Sequence, residues 1–188
     1  MNLQCRRVAL CLIAAGMMLA ACGPSRPSIG GPFELTDQNG QSKNQSILKG
    51  KWSAVFFGYT YCPDICPATL QTLADAQERL GTKAARFQVV FITVDPARDT
   101  PAQLKAYLSS SAFPHGAIGL TGTEAQVSAA AKSYYAYHAR AGTGPNYTVE
   151  HSSAIYLMDP RGHFNRVVAF GMTPDEVARQ ISDAMQGA

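Results

Sequence analysis

Ala54-Val55-Phe56-Phe57-Gly58-Tyr59-Thr60-Tyr61-Cys62-Pro63-Asp64-Ile65-Cys66-Pro67 is an apolar run that opens, just past its glycine, onto two cysteines with three residues between them. Ala54 to Gly58 lacks polar alternation and is rich in aromatic and β-branched side chains, the composition of a strand buried on both faces. Beyond Pro67, Leu70, Leu73, Ala74, Ala76, Gln77 and Leu80 recur at helical spacing, and Gly81 ends the run. A second apolar run, Phe87-Gln88-Val89-Val90-Phe91-Ile92-Thr93-Val94, follows. Strand, helix and strand in that order predict parallel strands joined by a helical crossover. Open α/β sheets bind ligands at the loops leaving the carboxyl ends of their strands, and both cysteines fall in such a loop.

Working outward, Phe33-Glu34-Leu35, the turn residues Asp37-Gln38-Asn39-Gly40 and Ile47-Leu48 predict an N-terminal β-hairpin. Downstream, the sequence predicts a helix from Thr100-Pro101 and another over residues 123–138. A hairpin of Ala154–Met158 and Phe164–Phe170 follows, turning at Asp159-Pro160-Arg161-Gly162. Thr173-Pro174-Asp175-Glu176 then caps a last helix, with proline at its first position and acids in its first turn. The order is an α/β plan of thioredoxin-like type, with the N-terminal hairpin as an extension and one inserted helix.

The first residues belong to processing rather than fold. Arg6 and Arg7 precede an apolar run, Val8 to Ala21, that is too short for a stable membrane span and reads as an export signal over residues 1–21. It ends in Leu19-Ala20-Ala21-Cys22-Gly23, which resembles the lipobox of bacterial lipoproteins. That resemblance implies cleavage before Cys22, its lipidation, and a membrane anchor on the extracytoplasmic, periplasmic face. Residues 22–32, rich in Gly, Pro and Ser, are expected to be a flexible tether, with one domain over 33–188. Without Arg6 and Arg7 the net charge is about +1, which offers nothing to nucleic acid.

Processing also resolves the five cysteines. Cys5 and Cys11 leave with the signal and Cys22 takes the lipid, so Cys62 and Cys66 remain as a pair. Outside the cytoplasm such a pair oxidises unless a reductant or a metal protects it. Pro67 places Cys66 at the cap of the helix and Cys62 in the loop before it, where unpaired N–H groups favour thiolate. Three roles are open: a stapling disulfide, a catalytic dithiol or a metal site. As a staple the pair is weak, since closing so short a loop contributes only about 2 kcal/mol. A peroxidase-like role needs acid–base helpers beside a peroxidatic cysteine. His151, in Val149-Glu150-His151-Ser152-Ser153, lies just before a predicted strand, on the sheet edge that carries the dithiol loop. Two sulfurs and one imidazole in three-coordinate geometry suit Cu(I), whereas zinc seeks a fourth ligand.

Other polar residues have plainer readings. Asp95 fits turn chemistry and Asp99 the start of a helix, with tuning of the site by Asp95 or Asp64 left open. His115, His138 and His163 read as surface residues. Met158 reads as core, Met172 stays unassigned, and Tyr134, Tyr135 and Tyr137 read as packing on the third helix.

Three blocks resemble the Sco/SenC family of copper chaperones. Gly58 to Pro67 is similar to the family's CxxxC metal motif and Val94-Asp95-Pro96-Ala97-Arg98-Asp99-Thr100-Pro101 to its DPxRDTP segment. His151-Ser152 ahead of Tyr156-Leu157-Met158-Asp159-Pro160 is similar to its ligand-histidine segment. The resemblance implies a thioredoxin-like fold binding Cu(I) and Cu(II) through Cys62, Cys66 and His151. It implies a metallochaperone that assists assembly of the copper-A centre of cytochrome c oxidase, with the copper-A subunit and a copper donor protein as partners. The alternative is a thiol–disulfide oxidoreductase acting on that subunit's cysteines. True thioredoxin-like reductases use a two-residue spacer and a cis-proline before the later strand; here the spacer is three residues and Ser152-Ser153 stand there, which leans toward metal.

Overall fold

β3 (Trp52–Gly58) is buried at every position and pairs in parallel with β4 (Phe87–Thr93), Phe56 opposite Phe91 and Gly58 opposite Thr93. The computed structural model describes residues 28–187; the export signal, Cys22 and the first part of the tether lie outside them. α1 (Ile65–Arg79) crosses from β3 to β4. β5 (Ile118–Thr121) extends the parallel set beside β4. The predicted hairpin, β1 (Glu34–Asp37) with β2 (Ser42–Asn44), joins the sheet antiparallel to β5. On the other side β8 (Ile155–Met158) and β9 (Phe164–Val168) complete the order β2-β1-β5-β4-β3-β8-β9.

Strand alternation sends side chains into two apolar layers. Trp52, Ala54 and Phe56 pack with Leu70 and Leu73 of α1 and with Val177 and Ile181 of α4 (Pro174–Gln186). Leu104 of α2 (Pro101–Leu108) joins them, and a side chain at Gly119 would meet Leu108 Cδ1 at 2.6 Å, so a glycine lets α2 close on β5. Val55 and Phe57 face the opposite layer, with Val127, Ala130 and Ala131 of α3 (Glu124–Ser133). The result is the thioredoxin-like α/β fold. Thr173 and Glu176 form the expected capping box on α4, with Pro174 in its first turn. Asp159 accepts from the N–H groups of Arg161 and His163 to make the expected turn between β8 and β9.

Three expectations change. The third helix stops at Ser133 rather than His138: Tyr134 turns inward, fully buried against Phe57 and Tyr156, and Tyr135 takes a left-handed φ of 55°. Tyr135 and Tyr137 therefore leave the helix, 63% and 59% exposed, and only Tyr134 is packing. The chain continues into β6 (His138–Ala141), which pairs antiparallel with β7 (Thr148–His151) as a separate two-stranded ribbon, so His138 lies at a ribbon end and not a helix end. Finally, packing begins before Phe33. Ile29 lies against the second layer, Gly30 N–H donates to Ser133 O at 2.8 Å, and any side chain at Gly30 would meet Met158 Cε at 2.8 Å. The part of the expected tether from Ile29 onward is thus docked.

Candidate metal centre

The helix carrying the dithiol starts earlier than Pro67 predicts. Asp64 is the N-cap, Cys66 the second helical residue and Pro67 the third, so Cys66 sits inside the first turn rather than at the cap. Proline is tolerated there because the first-turn N–H groups have no intrahelical partner to lose. Cys66 is fully buried in the first apolar layer, and Cys62 is half-buried beside it. The Cys66 N–H points at Cys62 Sγ, 3.5 Å away. Both thiols are free.

His151, the last residue of β7, brings Nε2 to 3.4 Å from Cys66 Sγ. Its Nδ1 lies 3.0 Å from the carbonyl oxygen of Ser152. A carbonyl only accepts, so Nδ1 carries a proton there, and Nε2 is the ring nitrogen that faces the sulfurs. Phe56 and Tyr59 hold the ring edge-on, with centroids 6.2 and 5.7 Å away. One ligand atom each from Cys62, Cys66 and His151 lies within 4.8 Å of the others, the single such cluster of histidine, cysteine and acid among the described residues. Cys62 and His151 border a cleft of about 390 Å³ that Tyr59, Pro63, Asp64 and Ile65 also line.

The cysteines share one proton unequally. The thiol of Cys66 donates to Cys62, and with the Cys66 N–H this lowers the Cys62 pKa to about 4. That same hydrogen bond, together with burial and the Cys62 charge, pushes Cys66 far upward. Cys62 is thus the thiolate and Cys66 the proton carrier, a division belonging to the pair as a whole. Iodoacetamide will therefore label Cys62 of the metal-free protein at an almost constant rate from pH 6 to pH 8, with the rate falling only as pH drops toward 4. A tenfold rise per pH unit up to pH 8 would contradict the assignment.

Asp99 fixes the dithiol loop from below, which corrects its reading as a helix start. Thr100 is the N-cap of α2, accepting from Gln103 N–H at 3.2 Å, while Asp99 is fully buried. The Asp99 carboxylate accepts from Thr60 N–H, Thr60 Oγ1 and Thr93 Oγ1 at 3.0, 2.7 and 2.6 Å. Burial raises its pKa despite those three donors. Asp95 pairs with Arg98 and accepts from the Tyr147 hydroxyl. Neither acid belongs to the sulfur–nitrogen cluster. Asp64 is exposed and makes no side-chain cap. His163 is 72% exposed near Asp159, and Met158 is buried core. Sequence reasoning assigned no role to Tyr59, Arg98 and Tyr147: Arg98 stands inside the DPxRDTP block, but nothing around Tyr147 marks it.

Gly58 closes the floor. A methyl group there would lie 2.6 Å from Cys66 Sγ and 2.9 Å from Phe91 Cε2. Gly58→Ala is expected to destabilise the fold by about 1–3 kcal/mol by overpacking and to disturb the Cys66 sulfur. Denaturant unfolding beside a metal titration checks both effects, and a wild-type midpoint would contradict the close approach.

The fold and the site define a thioredoxin-like protein in which an imidazole from a separate ribbon completes a CxxxC dithiol. The chain belongs to the SCO1/SenC family, whose model matches residues 23–186. It is 41% identical to an SCO2-like protein of Rickettsia felis over 79% of this chain and 73% of that one. It is 44% identical to the mitochondrial protein SCO1 of Saccharomyces cerevisiae over 82% of this chain and 52% of the yeast protein, so it spans about half of that relative. Among solved structures, copper-bound ScoI of Bradyrhizobium japonicum superposes with a TM-score of 0.75 at 41% identity, covering 83% of this chain and 99% of ScoI.

Proposed function

We propose that this chain is a copper metallochaperone that assists assembly of the copper-A centre of cytochrome c oxidase, holding its cargo through Cys62, Cys66 and His151. The observation that carries the reading is the meeting of two sulfurs and one imidazole nitrogen within 4.8 Å, with Cys66 and His151 brought together from 85 residues apart. Soft thiolates and a borderline nitrogen are a poor match for hard cations and a good one for copper. No fourth His, Cys, Asp or Glu joins the cluster among the described residues, which suits Cu(I) better than zinc. Copper bound to a relative 41% identical supports the same reading. The partners are the oxidase subunit bearing the copper-A site and a copper donor. In this reading Cys22 carries a lipid that tethers the domain at the extracytoplasmic membrane face. Among the described residues no helix is long and apolar enough to cross a membrane.

One observation favours a second role as thiol–disulfide reductant. Cys62 is the more exposed and more acidic thiol, with buried Cys66 placed to resolve. The Cys62 thiolate would attack a partner disulfide, expelling one partner thiolate. Cys66, giving up its proton, would then displace the second and close a Cys62–Cys66 disulfide, leaving the partner with two thiols.

X-ray absorption of the Cu(I)-loaded protein tests the metal reading. Two sulfurs and one nitrogen in the inner sphere are expected, and a sphere without nitrogen overturns the assignment of His151.

A further inference from the structure

Among the described residues the ribbon that delivers His151 pairs with no other strand, and an isolated two-stranded ribbon is marginal in water. Its closing bonds at the His151 end are internal: Ser152 N–H donates to Tyr137 O and Tyr137 N–H to Ser152 Oγ, both at 2.9 Å. Something must therefore hold the ribbon over the dithiol loop. Val149 contributes an apolar contact to the second layer. A polar attachment lies at Tyr147, one residue before β7.

The guanidinium carbons of Arg98 and Arg140 each stand 3.7 Å from the Tyr147 ring centroid. At that distance only opposite faces of the ring have room for both. Arg140 belongs to β6 and folds the ribbon's own loop onto the ring, with Nη2 donating to Gly144 O at 3.2 Å. Arg98 belongs to the loop after β4, so its contact crosses from the main domain to the ribbon. It also donates from Nη1 to Tyr147 O at 3.1 Å. Asp95 pairs with Arg98 and accepts from the Tyr147 hydroxyl at 2.5 Å, fixing both halves of the contact and offsetting the repulsion between two cations on one ring. The same Arg98 guanidinium faces Tyr61 at 4.7 Å and Tyr59 at 5.8 Å, on the loop that leads to Cys62. One side chain thus touches the sulfur-bearing loop and the histidine-bearing ribbon.

We propose that Tyr147, clasped between Arg98 and Arg140, is a positioning residue that latches the ribbon so that His151 stands over Cys62 and Cys66. The latch rests on the reading of His151 as a copper ligand. It accounts for a tyrosine stacked between two guanidinium groups that the dithiol chemistry does not need, and it makes copper affinity depend on a side chain that never touches the metal.

The test compares Cu(II) affinity, measured against a competing chelator, with amide hydrogen exchange of the ribbon in the metal-free protein. Tyr147→Leu is expected to weaken Cu(II) binding about tenfold, the loss of two stacked cations and one hydrogen bond, and to speed exchange along β6 and β7. Tyr147→Phe keeps the stack and should retain most of the affinity. Arg140→Gln, an exposed position that leaves the main domain untouched, should cost about threefold and serves if Tyr147→Leu does not fold. In a His151→Ala background, Tyr147→Leu should cause no further loss. If His151→Ala weakens binding while Tyr147→Leu and Arg140→Gln do not, the latch alone is overturned. An equal further loss in the His151→Ala background also overturns it. If His151→Ala changes nothing, the ligand reading fails and the latch falls with it.

Discussion

His151→Ala is expected to weaken Cu(II) binding by more than about 100-fold while the Cys62–Cys66 pair still oxidises and is reduced. Losing even the outer partners of a metal ligand typically costs 10–100-fold, and here the ligand itself goes. Cu(II) is the more sensitive probe because it favours nitrogen and oxygen donors in larger coordination shells, whereas two thiolates alone hold Cu(I). The dithiol is spared because its chief interaction is internal, between Cys66 and Cys62. Alanine also relieves no strain: His151 is only half-buried, and its remaining bond is to Ser152 O. Chelator competition gives the affinity and thiol titration before and after reduction gives the redox state. Unchanged affinity removes His151 from the site, and loss of reversible oxidation shows that the imidazole serves the dithiol instead.

Phe56→Ala should cost about 3–5 kcal/mol of folding free energy, a large part of the 5–15 kcal/mol that holds a domain of this kind. Phe56 is fully buried at the centre of β3 and lies 6.0 Å from the Phe91 ring. It shares the first apolar layer with Cys66 and Leu70 and supports the His151 ring from beneath. A cavity there removes packing from both halves of the site, so copper affinity should fall along with stability. Urea unfolding reads the first effect, and a loss below about 1 kcal/mol would show that this layer is not the close-packed core described.

Much of the architecture was legible because its signals are local. The apolar runs at Ala54 and Phe87 are long enough to declare buried strands, and the helical spacing between them settles a parallel crossover. Thr173-Pro174-Asp175-Glu176 announces a helix start through side chains that satisfy its own first turn. The elements that escaped notice are short. β5 is four residues including a glycine, and β6 reads His-Ala-Arg-Ala, with no alternation to reveal a strand. The overlong third helix had the same origin: residues 134–138 have no helix breaker, and the chain leaves the helix because burial of Tyr134 against Phe57 and Tyr156 outweighs local propensity.

By itself the sequence determined the dithiol and its loop at the end of a buried strand, and its resemblance to a known family pointed to the histidine, since each of these motifs is written in residues a few positions apart. Tertiary structure alone decided that Nε2 of His151 faces the sulfurs, that Cys62 rather than Cys66 carries the charge, and that Asp99 and Arg98 brace the loop. Those outcomes depend on distances between segments joined only by folding, where a few ångströms fix which atom donates, which accepts and which is shut away from water.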